Sequence, residues 1–212
     1  MIKKALAAMA LAGTAMSAQA GVLLSEGFEN VTGLTAKGWV FTDKSTPGGA
    51  THGWFQGDQN VFGAQSGSPY SYAAANFNGA PAGGTLDAWM LTPIFDASHG
   101  ATVSFYLRAD HQDGYFDQIN FGFVNADGTL TGTPLAAISV VPDGDWVKYT
   151  TSVTWNTLGS VRFAFQYTGS ADNANYAAVD SLSISQVPEP ATMALIACGL
   201  LGLGAARRRS RA

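Results

Sequence analysis

Apolar residues recur at every second position through most of this chain, and that period is the strongest constraint on its fold. In "TVSFYLRA", Val103, Phe105 and Leu107 share one face. In "QINFGFVN" the set is Ile119, Phe121 and Phe123, and in "SVRFAFQY" it is Val161, Phe163, Phe165 and Tyr167. "VKYTTSVTW" alternates Val147, Tyr149, Thr151, Val153 and Trp155. Successive side chains of a strand point to opposite faces, so each run reads as a strand with one buried side. "AAVDSLSI" offers Val179, Leu182 and Ile184, with the register broken around Asp180. A helix needs apolar residues three and four apart, and between Val22 and Ser185 no such stretch exceeds about two turns.

Turn signals separate the runs. Asp127-Gly128 in "ADGT" is a hairpin cue, and "PDGD" at Pro142 to Asp145 marks another turn. Gly-rich stretches at Pro47 to Gly49 and Ala80 to Gly84 read as longer loops. Many short strands with regular turns predict an all-β fold, an antiparallel β-sandwich of jelly-roll type with roughly ten to twelve strands. No repeat of about 20–50 residues occurs, which argues against a solenoid or propeller.

Charge and cysteine usage narrow the function. Setting aside Lys3, Lys4, Arg207, Arg208, Arg209, Arg211 and Glu189, the middle keeps about 5 basic against 14 acidic residues. Such a body lacks the clustered Lys and Arg that phosphate contacts need, so nucleic acid is not an expected partner. It suits a hard cation such as calcium, which takes oxygen ligands. The single cysteine, Cys198, lies in an apolar tail, so the body has neither disulfide nor thiolate metal site.

The two ends read as addresses. "MIKKALAAMALAGTAMSAQA" has a basic start, a short apolar run and small residues, Ala18 and Ala20, at the cleavage positions of a signal peptide. An amphipathic N-terminal helix is the alternative. At the other end, Pro188-Glu189-Pro190 cannot continue a strand or helix, and Ala191 to Ala206 carries no charge. About 16 residues is just short of a typical membrane span, and Arg207, Arg208 and Arg209 would hold the far end in the cytoplasm. The predicted layout is a signal peptide at 1–20, a β-sandwich at 21–185 and a tail at 186–212 with a transmembrane helix at 191–206.

"SEGFEN", "KGWVF", "GWFQG", "SYAAANFN", "LDAWMLTPIF", "VSFYLRA", "VRFAFQY" and "YAAVDSLSI" follow one another along the body. This succession resembles the choice-of-anchor J domain, related to cleaved-adhesin and MAM-like jelly rolls. The resemblance implies an exported β-sandwich and no particular reaction. "VPEP", the apolar run and the arginine cluster resemble the PEP-CTERM sorting signal. That resemblance implies processing by an exosortase in a Gram-negative bacterium. The protein would be held at the inner membrane and then released or re-anchored at the cell surface or in the extracellular matrix. A permanent single-span anchor is the alternative.

In related jelly rolls a calcium ion often sits where the first and last strands meet. The resemblance would place its ligands at Glu29 in "GFEN" and Asp180 in "AVDSLSI", with Asp87 a weaker third. Asp180 also interrupts an apolar run, and a buried carboxylate needs a partner or a metal. Solvation at the sheet edge, or hydrogen bonding to backbone amides, would equally satisfy it. "RADHQDGYFDQ" gathers Asp110, His111, Asp113 and Asp117, but its spacing matches neither an EF-hand nor a zinc helix, so a solvated or weakly calcium-binding loop is expected. His52, His99 and His111 fall in predicted loops without a partner that the sequence identifies.

Aromatics crowd the first half. Trp54, Tyr70 and Tyr72 are candidate glycan contacts, while Trp39, Trp54 and Trp89 are also candidates for the core. The function that follows is a non-catalytic, exosortase-sorted protein of the cell surface or exopolysaccharide matrix (biofilm), acting by adhesion or glycan binding. A secreted hydrolase of polysaccharide or protein, and a purely structural calcium-stabilised matrix subunit, are the alternatives.

Overall fold

The body is a sandwich of two antiparallel sheets. The structure, a computed structural model, describes residues 21–154 and 157–187. The expected signal peptide with Ala18 and Ala20 lies outside the described residues. So do Trp155, the sorting residues Pro188, Glu189 and Pro190, the expected span at 191–206, and Arg207, Arg208 and Arg209. Among the described residues no helix is long and apolar enough to cross a membrane.

Sheet A runs in the order β10 (Val147–Val153), β7 (Ala101–Ala109), β12 (Tyr176–Gln186), β4 (Ala73–Asn76) and β3 (Phe55–Gln56), and β1 (Val22–Glu26) also pairs with β12. Sheet B runs β2 (Val40–Asp43), β5 (Thr85–Leu91), β11 (Ser160–Ser170), β8 (Gln118–Asn125) and β9 (Ala136–Ile138), with β6 (Phe95–Asp96) on β11. The strand count falls within the expected range. Among the described residues two 3-10 helices, Val31–Lys37 and Phe77–Gly79, interrupt the strands.

The alternation works as the sequence predicts. Val103, Phe105 and Leu107 of β7, and Val161, Phe163 and Phe165 of β11, turn inward and are buried. Phe105 from sheet A meets Phe121 and Phe165 from sheet B, with ring centroids 4.8 and 4.9 Å apart in edge-on geometry. Such aromatic pairs contribute packing beyond their area alone. Trp39 and Trp54 join this core, as expected. Trp89 does not: it lies half-buried on the outer face of sheet B, because Leu86, Ala88 and Met90 take the inward positions of β5.

Both long strands change partner midway. β12 pairs with β4 through Tyr176–Val179 and with β1 through Leu182–Ser185, and its register shifts between Asp180 and Ser183. Ser181 takes a left-handed φ of 51°, the mark of this bulge. β11 pairs with β6 near Val161 and with β5 from Ala164 onward. Its gap is closed by Thr92, whose N–H donates to the Phe163 carbonyl while its hydroxyl accepts from the Phe163 N–H. Arg162 fastens the same corner, donating to the carbonyls of Gly38, Thr92 and Ala126.

A second apolar cluster covers part of the outer face of sheet A. Phe62 and Tyr72 pack over Ala74, Ala178 and Tyr176. The small alanines let the covering loop lie close, and Gly57 is required there, since a Cβ would fall 2.6 Å from the Tyr72 ring.

Candidate functional site

A cavity of about 510 Å³ opens at one end of the sandwich, where three loops converge. The first follows β4 and carries Phe77 and Asn78. The second joins β7 to β8 and carries Gln112 and Tyr115. The third joins β11 to β12 and carries Asp172 and Asn175. Phe77 and Tyr115 are 42% and 48% exposed, and a large ring left that open is either idle surface or a contact.

Hydrogen bonds sew the loops together. Asn76 caps the 3-10 turn, its side chain accepting from the Asn78 N–H at 3.1 Å and from the Thr51 hydroxyl at 3.1 Å. Gly49 donates its N–H to the Gly79 carbonyl, and a Cβ at Gly49 would fall 2.1 Å from the Asn78 carbonyl oxygen, so only glycine fits. Phe77 donates to the Asn175 carbonyl and Phe116 to the Asn173 carbonyl, both from backbone N–H. Asp172 accepts from the Gly83 N–H at 2.9 Å. Asn175 donates its side-chain amide to the Asp110 carbonyl and carboxylate.

Asp117 is the anchor beneath. It is buried, where a solvated loop residue was expected, because its carboxylate accepts from the Tyr167 hydroxyl (2.5 Å) and the N–H groups of Asn175 (3.0 Å) and Tyr176 (3.2 Å). Burial raises its pKa against the opposing pull of those donors. The rest of that loop, from His111 to Phe116, is exposed as predicted. His111 bonds through Nδ1 to Asp143 at 2.5 Å, which raises its pKa. His52 and His99 are also exposed.

The predicted glycan contacts are placed differently. Trp54 is buried and donates its indole N–H to the Ala88 carbonyl at 3.1 Å. Tyr72 is fully buried, with its hydroxyl donating to the carbonyls of Asp58 (2.6 Å) and Phe62 (3.1 Å). Both serve packing. Tyr70 alone of the three is open, at 47% exposure, and it lies outside the cleft. The sequence signal for the 510 Å³ cavity was Tyr115 beside Phe116 in an otherwise polar loop.

The acids proposed for calcium separate into two places. Asp87 lies on the outer face of sheet B, where its Oδ1 accepts from the Trp89 indole (2.5 Å) and the Gln166 amide (2.8 Å). Asp180 is fully buried in sheet A and accepts backbone N–H groups from Gln65, Ser66 and Ser181. Glu29 is exposed and lines a recess of about 280 Å³ with Glu26, Ser66 and Ser181. Glu26 in turn accepts from the Phe28 N–H and pairs with Lys37 at 3.3 Å. Calcium takes about 6–8 oxygen ligands. Among the described residues no group of three or more acids, histidines or cysteines is placed to hold a metal. The groups facing Asp180 are three backbone N–H groups and the Ser181 hydroxyl, all placed as donors, which suits a carboxylate and not a cation. As arranged, these residues do not fit a calcium ion.

Comparison with solved structures identifies the class of fold. The chain is similar to the K1 cleaved adhesin domain of Lys-gingipain from Porphyromonas gingivalis W83, at 18% identity and a TM-score of 0.55, over 79% of this chain and 99% of that domain. It is similar to the K2 cleaved adhesin domain of Lys-gingipain at 16% identity and a TM-score of 0.54, over 77% and 98%. A carbohydrate-binding module solved with β-1,4-galactotriose aligns at 9% identity and a TM-score of 0.47, over 76% and 99%. The body thus shares the jelly-roll fold of the two cleaved adhesin domains. Residues 186–209 match the PEP-CTERM protein-sorting motif, which implies export, membrane anchoring and processing by an exosortase. No match was found among curated proteins.

Proposed function

We propose that this chain is a non-catalytic surface protein that holds glycan in the cleft between Phe77 and Tyr115, at the cell surface or in the exopolysaccharide matrix. The observation that carries this is the pairing of two half-open rings on separate loops with a fringe of amide side chains, Asn78, Gln112 and Asn175. A sugar ring presents an apolar C–H face and a rim of hydroxyls. An aromatic face suits the first, and a few placed amides suit the second. Loops held by a rigid scaffold are where binding residues concentrate.

Two features favour binding over catalysis. Glycoside hydrolysis requires two carboxylates flanking the scissile bond, and the cleft lining offers one, Asp172. The two aspartates whose pKa burial raises, Asp117 and Asp180, are engaged by donors of their own chain. The sorting motif supports delivery of the body to the outside of the cell.

A glycan array probed with the parent chain and with Tyr115→Ala and Phe77→Ala tests the proposal. Retention of at least one polysaccharide by the parent, lost in both variants, is expected. Retention that both variants keep would move the site elsewhere.

A further inference from the structure

We infer that the cleft selects neutral glycans and rejects polyanionic ones. This rests on the glycan-binding function proposed for the same cleft and names the class of sugar it takes. The described residues lining the cleft include no Lys, Arg or His. Its one charged lining group is Asp172, and only Oδ1 of that carboxylate is capped, by the Gly83 N–H. Behind the lining, Asp110 accepts from the Asn175 amide.

The basic side chain on these loops, His111, is already engaged. His111 bonds Asp143 through Nδ1 and approaches Asp113 through Nε2 at 3.4 Å. A uronate or sulfate brought to the cleft would therefore lose water and meet carboxylates with no counter-charge to replace it. Screening does not rescue it: the Debye length at physiological salt is about 8 Å, longer than the separation of groups in contact.

Asn78 and Gln112 are exposed and carry side chains that both donate and accept, and the Tyr115 hydroxyl does the same. Sugar hydroxyls are also donors and acceptors, so the match needs no charge. The free oxygen of Asp172 adds an acceptor for a sugar hydroxyl, which a neutral polymer can use and an anionic one cannot approach without repulsion.

The experiment is affinity electrophoresis of the full chain in mild detergent. Gels would contain a neutral glucan, galactan or xylan, or a polyuronate, at about 10 mM and about 150 mM salt. At least one neutral polymer should retard the chain, with Tyr115→Ala weakening the interaction tenfold or more. The polyuronate should not retard the parent at either salt. Ala82→Lys adds a cation to the exposed rim of the cleft without removing a hydrogen bond, and should gain polyuronate retardation at low salt. A parent retarded by polyuronate, with retardation abolished in Tyr115→Ala, would overturn the charge selectivity and leave glycan binding at the cleft intact. An Ala82→Lys chain that gains nothing would also count against the selectivity. No retardation by any polymer would bring down the glycan-binding function itself, and the selectivity with it.

Discussion

Asp180 accepts the backbone N–H of Gln65 at 2.8 Å, joining two residues 115 positions apart in the chain. The bond falls where β12 has left β4 and not yet reached β1, so on that edge no strand pairs with Asp180, while Tyr106 of β7 faces it on the other. The carboxylate takes the place of the missing ladder partner, drawing in Ser66 and Ser181 as well. A buried donor left without a partner costs about 1–3 kcal/mol. Asp180→Ala should therefore lose about 3–5 kcal/mol of stability in urea unfolding. Asp180→Asn keeps one acceptor and should lose about 1–2 kcal/mol. A loss below about 1 kcal/mol for the alanine variant would show that water fills the gap at little cost.

Burial pushes the pKa of Asp180 up to about 6, against the pull of its amide donors. The folded state then binds a proton more tightly than the unfolded chain. Between about pH 4 and pH 6 the folded chain holds more protons, so this group's contribution to stability falls as pH rises, and it is flat above. The size is about 3 kcal/mol across that window. Subtracting the pH profile of Asp180→Asn from that of the parent isolates it from the other carboxylates, including Asp96, Asp127 and Asp143, whose pKa values are lowered. A difference profile that rises with pH would contradict the assignment.

The aromatics should divide cleanly by stability. Phe77 and Tyr115 are half-open, so alanine there should change the melting temperature by less than about 2 °C. Trp54→Ala removes a buried ring and an indole hydrogen bond, and should cost about 3–5 kcal/mol. Thermal unfolding of the three variants, monitored by near-ultraviolet circular dichroism, checks this.

Calcium should have little effect on the body. Asp180 is satisfied by N–H donors, Glu26 by Lys37 and the Phe28 N–H, and Asp87 lies on the other sheet. Melting temperatures in calcium and in chelator should agree within about 1 °C. A ligand present at 100 times its Kd would add about 2.7 kcal/mol, so a rise of several degrees would restore an ion site at the Glu29 recess.

The sandwich was legible because the period-two runs leave little choice about which side chains face inward, from Val103 to Phe165. Even the bulge showed, as the slip in register at Asp180. The cleft was not legible because its walls come from three loops far apart in the chain, and only the sheet topology brings Phe77, Tyr115 and Asp172 to one end. Trp54 stood as both a glycan and a core candidate because its setting, "HGWFQG", also reads as an open loop. Its indole reaches the Ala88 carbonyl across 34 residues, a contact no local pattern announces. Asp117 looked like one more solvated acid, and its burial depends on Tyr167, a residue 50 positions away.

The most direct measurement is a calorimetric titration of a retained neutral oligosaccharide into the parent chain and into Tyr115→Ala, with melting curves of both in parallel. The cleft as described predicts saturable binding to the parent, at least tenfold weaker affinity in Tyr115→Ala, and equal melting temperatures. Equal affinity for both chains would contradict it.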